Sequence, residues 1–395
     1  MKCLILGLTR GRHRFECLSK ALKNNNHTVD IVTENFDDVV GPYDRIFTIS
    51  ESLLPIQSKL EKKWGLKNLS EIAADVLSDK KKFDDLCVSV GLEDLIPHSI
   101  IPTRSDDLDY WIDKPFIIKP VIGSGSKSGG LNYISFKNKK DFLLYCSSNK
   151  ISDFFTNNKT GWIDKQFNNR INFYMVQDQL SNNSEIWGPY YYVNNDGDIK
   201  DLLWLRGKVW YKQIDKYRFE TKLSEWMSFD EKDVPNNIRL NAYHFYNRII
   251  NKLKLRNMFF SGPDFYKFNN RINMIDCNPR IGQGLQMMDD IHDNTIVSKI
   301  LNDNSYFIGK KMLWKVSKLK PGKIKSVKDT SHLSKYFCKT NIDNLRPGEI
   351  IEEYTHVCSQ NTIRISFLIT GTNESDMYKT YQTVNTKLQN CIEYF

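Results

Sequence analysis

The sequence predicts an α/β protein, α+β in part, and three observations carry that prediction. Within residues 1–76, strand-like and helix-like stretches alternate, the pattern of a parallel sheet with crossover helices. The apolar run Phe116–Ile118, of buried-strand type, ends on Lys119-Pro120 and runs almost at once into a Gly/Ser-rich stretch. Far downstream, Ser261–Gly284 reads as a hairpin with a turn at Asn269-Asn270.

The 395 residues suffice for two or three domains with a sizeable core. A hydrophobic content of 40% with 12% aromatics is that of a folded globular chain. The eight cysteines show no C-x-x-C pairing, so neither a disulfide framework nor a zinc site is expected. No apolar run resembles a leader peptide or a membrane span. A reduced cytoplasmic protein is the expectation. The net charge of +9 admits nucleic acid in principle, but the lysines are spread among acids with no basic tract. Neither a nucleic-acid nor a membrane partner is expected.

Taken in order, Cys3–Leu6, Val29–Val32 and Arg45–Ile49 read as strands, Phe15–Leu22 as a helix and Ser58–Leu77 as helical. The turn between the first strand and helix lacks the dinucleotide fingerprint, although Arg10, Arg12 and His13 suit an anion above the strand ends. Ser78 or Asp79 caps a helix reaching about Val90, and Gly91 stops it. A short helix, Asp106–Trp111, leads into the Phe116 strand; Leu131–Phe136 follows as a strand and Lys139–Cys146 as a helix. Phe173–Val176, Tyr190–Val193 and Asp201–Trp210 read as strands, while Ser147–Asn169 and Tyr211–Trp226 give no readable pattern. Ile238, Ala242, Phe245, Ile249 and Leu253 recur at helical spacing within Asn236–Leu255. In the tail, Lys318–Val327, Ile350–His356 and Thr362–Leu368 read as strands, Thr370–Thr372 as a turn and Ser375–Ile392 as a helix.

Two stretches carry chemistry. Gly123-Ser124-Gly125-Ser126, after a strand ending in Lys119, combines a backbone free to aim its N–H groups, hydroxyl donors and a fixed cation, which suits a polyphosphate. It is not a P-loop. Asp264 opens the first strand of the downstream hairpin and Asp276 closes the second, with Asn278 two residues on. Two carboxylates and an amide oxygen on one edge make a hard, all-oxygen site suited to magnesium. Cys277, between two such positions, is expected to face the core by alternation. Either stretch alone is compatible with a flexible Gly/Ser loop or with ordinary turn chemistry. Both in one chain are the stronger sign.

Together, K-P-F-I-I-K-P-V-I-G-S-G-S-K-S-G-G and I-D-C-N-P-R-I-G-Q-G resemble the ATP-grasp superfamily, and most of the chain follows that order. The tail is similar to the C-terminal domain of its L-amino-acid ligase branch, within the group that includes D-alanine–D-alanine ligase. The resemblance implies three domains: 1–76, an ATP-grasp domain over 77–305 with a lid at about 114–180, and a C-terminal module over 306–395. It implies that ATP is held by Lys80, Lys119, Gly123, Ser124, Gly125 and Ser126, with adenine at Gln177, Asp178, Gln179 and Leu180 and ribose at Glu185. Asp264, Asp276 and Asn278 would hold Mg2+, two ions in all with Mn2+ as a substitute, and Arg280 and Arg206 would meet the substrate carboxylate or transferring phosphoryl group. One departure is plain: the family places glutamate where this chain has Asp276. The implied activity is an ATP-dependent carboxylate–amine ligase acting on a small acid and an amine through an acyl phosphate, with a homodimer left open. A phosphoryl-transferring or carboxylase-type relative, or a silent ATP-binding module, is the alternative.

Overall fold

The computed structural model describes residues 1–7, 12–123, 134–148, 153–164, 170–179, 184–213, 215–268, 271–275, 277–282, 284–285, 297, 311–336, 345–351 and 365–395. The chain opens with a three-stranded parallel sheet, Lys2–Leu6 at its centre between Thr28–Val32 and Arg45–Thr48. Cys3, Leu4, Ile5 and Leu6 are fully buried, as the apolar run requires. The helical stretch after the third strand divides into Leu54–Lys63 and Glu71–Leu77, because Ser70 starts a new helix by accepting the Ala73 N–H at 3.1 Å. Asp79 does the same for Lys80–Ser89, and Gly91, at φ 72°, follows its end.

The body is a 12-stranded sheet. One end holds Ser99–Ile100, Tyr174–Asp178, Phe116–Pro120 and Ile134–Phe136, all antiparallel. The path continues through Arg218–Phe229, Ile199–Gln213 and Glu185–Val193 to the hairpin Asp264–Phe268/Arg271–Ile275. Met258–Ser261 pairs with Glu185–Val193, and Lys311–Val316 joins Arg218–Phe229 to Ser366–Gly371. The helix Asn236–Leu253 buries Ile238, Ala242, Phe245 and Ile249, with Tyr246 and Ile250, against Trp187, Tyr191, Phe260 and Phe265. The helix Glu374–Asn390 covers the tail strands through Met377, Tyr381, Val384 and Leu388.

Several elements differ from the sequence expectation. Arg218–Phe229 is a long strand where no pattern was readable, and Phe154–Thr160 is a helix within a stretch that also gave none. The expected strand Lys318–Val327 begins at Gly322, Lys311–Val316 is a separate strand that was not expected, and Thr370-Gly371 still belong to Ser366–Gly371. Among the described residues no helix is long and apolar enough to cross a membrane.

Candidate active site

Lys119, Gln177, Lys80, Gly123 and Asn278 meet at one cleft. Lys119 comes from the end of Phe116–Pro120 and Gln177 from its antiparallel neighbour Tyr174–Asp178. Lys80 is the first residue of its helix. Its N–H donates to Val121 O at 3.0 Å and its ammonium to Gly123 O at 2.6 Å, so the helix start is tied to the entrance of the Gly/Ser stretch. Gly123 takes φ 91°, a region open to glycine at little cost. Ser124, Gly125 and Ser126 lie outside the described residues.

Lys119 is only 6% exposed. Near it stands Asp84, which the sequence did not point to. Burial pushes the Asp84 carboxyl above its usual range, while Lys119 and the Ser99 hydroxyl, donating at 2.7 Å, oppose that rise. Below Lys80, Arg170 donates to Ser78 Oγ at 2.8 Å and to Asp75 Oδ1 at 2.9 Å, fixing the segment before the helix.

The downstream hairpin brings Ile275, Cys277 and Asn278 to the opposite wall. Asp264 faces Ile275 in the ladder. A side chain on Gly188 of the next strand would place its Cβ 2.5 Å from Asp264 Oδ1, so the glycine makes room for this carboxylate. Asn278 exchanges backbone bonds with Ser261 at 2.8 and 3.1 Å. Asp276 is outside the described residues. Cys277 packs on the core, as alternation predicts, and being half-buried also lines the cleft. Arg280 donates through Nη2 to Asn278 Oδ1 at 3.1 Å and through Nε to Glu51 Oε1 at 2.8 Å. Glu51 lines the same cleft and follows the third strand of the N-terminal sheet, so that sheet's unit contributes directly to the site.

Other expected residues lie elsewhere. The Asp178 carboxylate accepts from Trp111 Nε1–H at 2.8 Å, and Gln179 Oε1 from the Ser135 hydroxyl at 2.5 Å. Leu180 is outside the described residues. Arg206 and Glu185 do not line the cleft among the described residues; Arg206 pairs with Glu374 at 2.6 Å and with Glu185 at 3.8 Å, its guanidinium over the Phe229 ring.

A body of antiparallel strands next to a small parallel α/β unit is the ATP-grasp fold, and this chain has it. No profile of a known protein family matches the sequence, and no curated protein resembles it. Among solved structures, it is similar to L-amino acid ligase from Bacillus licheniformis, at 13% identity and TM-score 0.67, over 100% of this chain and 99% of the other. It is also similar to N5-carboxyaminoimidazole synthetase from Staphylococcus aureus complexed with ADP, at 12% identity, TM-score 0.62 and 97% and 96% coverage. Phosphoribosylglycinamide synthetase from Anaerococcus prevotii matches at 13% identity, TM-score 0.59 and 100% and 99% coverage.

Proposed function

We propose that the chain is an ATP-dependent carboxylate–amine ligase. The supporting observation is the convergence of Lys80, Lys119, Gly123, Gln177 and Asn278, drawn from four separated segments, on one cleft. The solved structures similar in fold include an amino acid ligase and a synthetase carrying ADP, which favours the same reading. Lys119 and Lys80 hold the phosphates, with the backbone of the Gly/Ser stretch closing over them. The chain at Gln177, in the cleft wall, meets the adenine edge. Asp264, Asp276 and Asn278 supply the hard oxygens for magnesium, whose chemistry is to offset charge on the transferring phosphoryl group. The room that Gly188 leaves for Asp264 fits that assignment. The units 1–76, 77–305 and 306–395 serve as substrate-facing unit, nucleotide body and covering module.

In the reaction, a substrate carboxylate oxygen attacks the γ-phosphorus and ADP leaves. The amine nitrogen then attacks the acyl carbon, phosphate leaves and the nitrogen gives up a proton. No protein nucleophile is required, so catalysis rests on position and charge. Arg280 orients the carboxylate, and Glu51 orients Arg280. The test is phosphate release with Mg2+–ATP over pooled amino acids and small acids, with hydroxylamine as surrogate amine. Hydroxamate together with phosphate is the expected result. Phosphate without hydroxamate would point to phosphoryl transfer onto another acceptor, and absence of ATP binding would overturn the proposal.

A further inference from the structure

A second cavity, of about 620 Å3, opens at the seam between the N-terminal unit and the central sheet. It shares no residue with the cleft. Arg45 and Lys67 face it from the N-terminal unit; Lys254 and Arg256 face it from just beyond the helix Asn236–Leu253. One carboxylate, Asp44, lines it, and that group already accepts the Lys2 N–H at 2.6 Å. Among the described ion pairs, none includes Arg45, Lys67, Lys254 or Arg256.

A helix C-terminus welcomes a cation, which accounts for Lys254. It does not account for Arg45 and Lys67 on the other side of the seam. Four like charges gathered around one cavity repel one another, and an anion between them turns that repulsion into attraction. The floor is fixed and polar. Asn257 and Asn68, each 8% exposed, are joined by a bond of 2.8 Å, and Asn257 also donates to Asn195 at 3.2 Å. The Tyr192 hydroxyl donates to Asn257 Oδ1 at 3.1 Å and itself accepts from Arg45. Lys254 and Asn257 both take left-handed conformations, φ 51° and 49°, on either side of Arg256. Such a conformation in a lysine persists where its surroundings hold it.

We propose that this seam cavity binds a small multivalent oxyanion, a phosphate- or carboxylate-bearing metabolite, at a site separate from the cleft. Its size is that of a small-molecule pocket. The guanidiniums of Arg45 and Arg256, held through Nη1 by the Tyr192 hydroxyl and by Leu255 O respectively, and the two lysines supply the positive charge that an oxyanion takes up. The proposal does not depend on the ligase reading.

The test is calorimetric titration of the full chain with inorganic pyrophosphate and, separately, citrate at fixed ionic strength. One-to-one binding of pyrophosphate identifies a phosphate-type ligand, and of citrate alone a polycarboxylate. The double variant K254Q/R256Q is expected to weaken binding by about tenfold or more. K67Q, on the opposite wall, is expected to weaken it in the same direction, and K379Q, on the tail helix, to leave it unchanged. Lys67, Lys254 and Lys379 are exposed and Arg256 is half-buried, so unchanged thermal midpoints serve as the folding control. Equal binding by wild type and K254Q/R256Q, loss of binding in K379Q, or no binding of either anion at about 0.15 M salt would each overturn the proposal.

Discussion

Lys119 holds an ammonium group almost out of water, which costs free energy unless anions meet it. Asp84 supplies one nearby, and the proposed triphosphate supplies the rest. Lys119→Met is therefore expected to weaken nucleotide binding by about tenfold or more, roughly 1.4 kcal/mol, in calorimetry. Binding equal to wild type would remove Lys119 from the nucleotide site. Glu61 is a second buried charge with a different consequence. It is fully buried, accepts from Gln57 at 2.9 Å and from the Leu69 N–H at 2.8 Å, and burial pushes its carboxyl from 4.5 up to about 7. The folded state thus holds its proton more tightly than the unfolded chain. Its stabilising contribution is complete below the ordinary carboxylate pKa and is lost as pH rises through about 7, a swing of roughly 3 kcal/mol. Glu61→Gln should flatten the fall in urea midpoint between about pH 5 and about pH 8; an unchanged slope would assign that fall to other groups. At this scale Lys80, Lys119, Gly123, Gln177 and Asn278 were legible because each sits in or beside a compact local pattern. Glu51 and Asp84 were not, because a partner 229 positions away, as Arg280 is from Glu51, leaves no mark on local spacing.

Among the elements, the strand Glu185–Val193 does the most positioning. It pairs with three others, and at Gly188 it leaves the space that Asp264 fills. Gly188→Ala requires no unusual backbone, so its cost falls on Asp264. The expected result is a higher magnesium requirement for ATP turnover with little change in thermal midpoint; an unaltered requirement would separate Asp264 from the metal. The helix Asn236–Leu253 was legible because its apolar residues recur at 3.6 spacing and its buried face follows them. Arg218–Phe229 was not, because Glu225 reads as a surface residue and is in fact 2% exposed. Burial pushes Glu225 up, but Lys315, Tyr378 and Lys208 around it prevail and hold the carboxyl below its usual range. A strand whose buried charge is satisfied largely by distant elements does not announce itself by alternation.

For the whole molecule, that same carboxylate fastens the tail module to the sheet, since Lys315 and Tyr378 belong to the tail strand and helix. Lys315→Ala leaves Glu225 buried without its nearest cation and is expected to cost about 3–5 kcal/mol in urea denaturation, with Glu225→Leu in addition recovering much of it. A loss below about 1 kcal/mol would show the pair to be peripheral. The opposite end of the sheet is joined far more lightly. Among the described residues, Ile134–Phe136 meets Arg218–Phe229 through two residue pairs, Arg218 with Phe136 and Phe219 with Ser135, whereas Arg218–Phe229 and Ile199–Gln213 share ten. A plate hung on so short a splice swings there first, because few ladder bonds must part while each plate keeps its own core. The amides of that splice should therefore trade hydrogen for deuterium sooner than those of Glu185–Val193, and a nucleotide clasped between the plates should slow them.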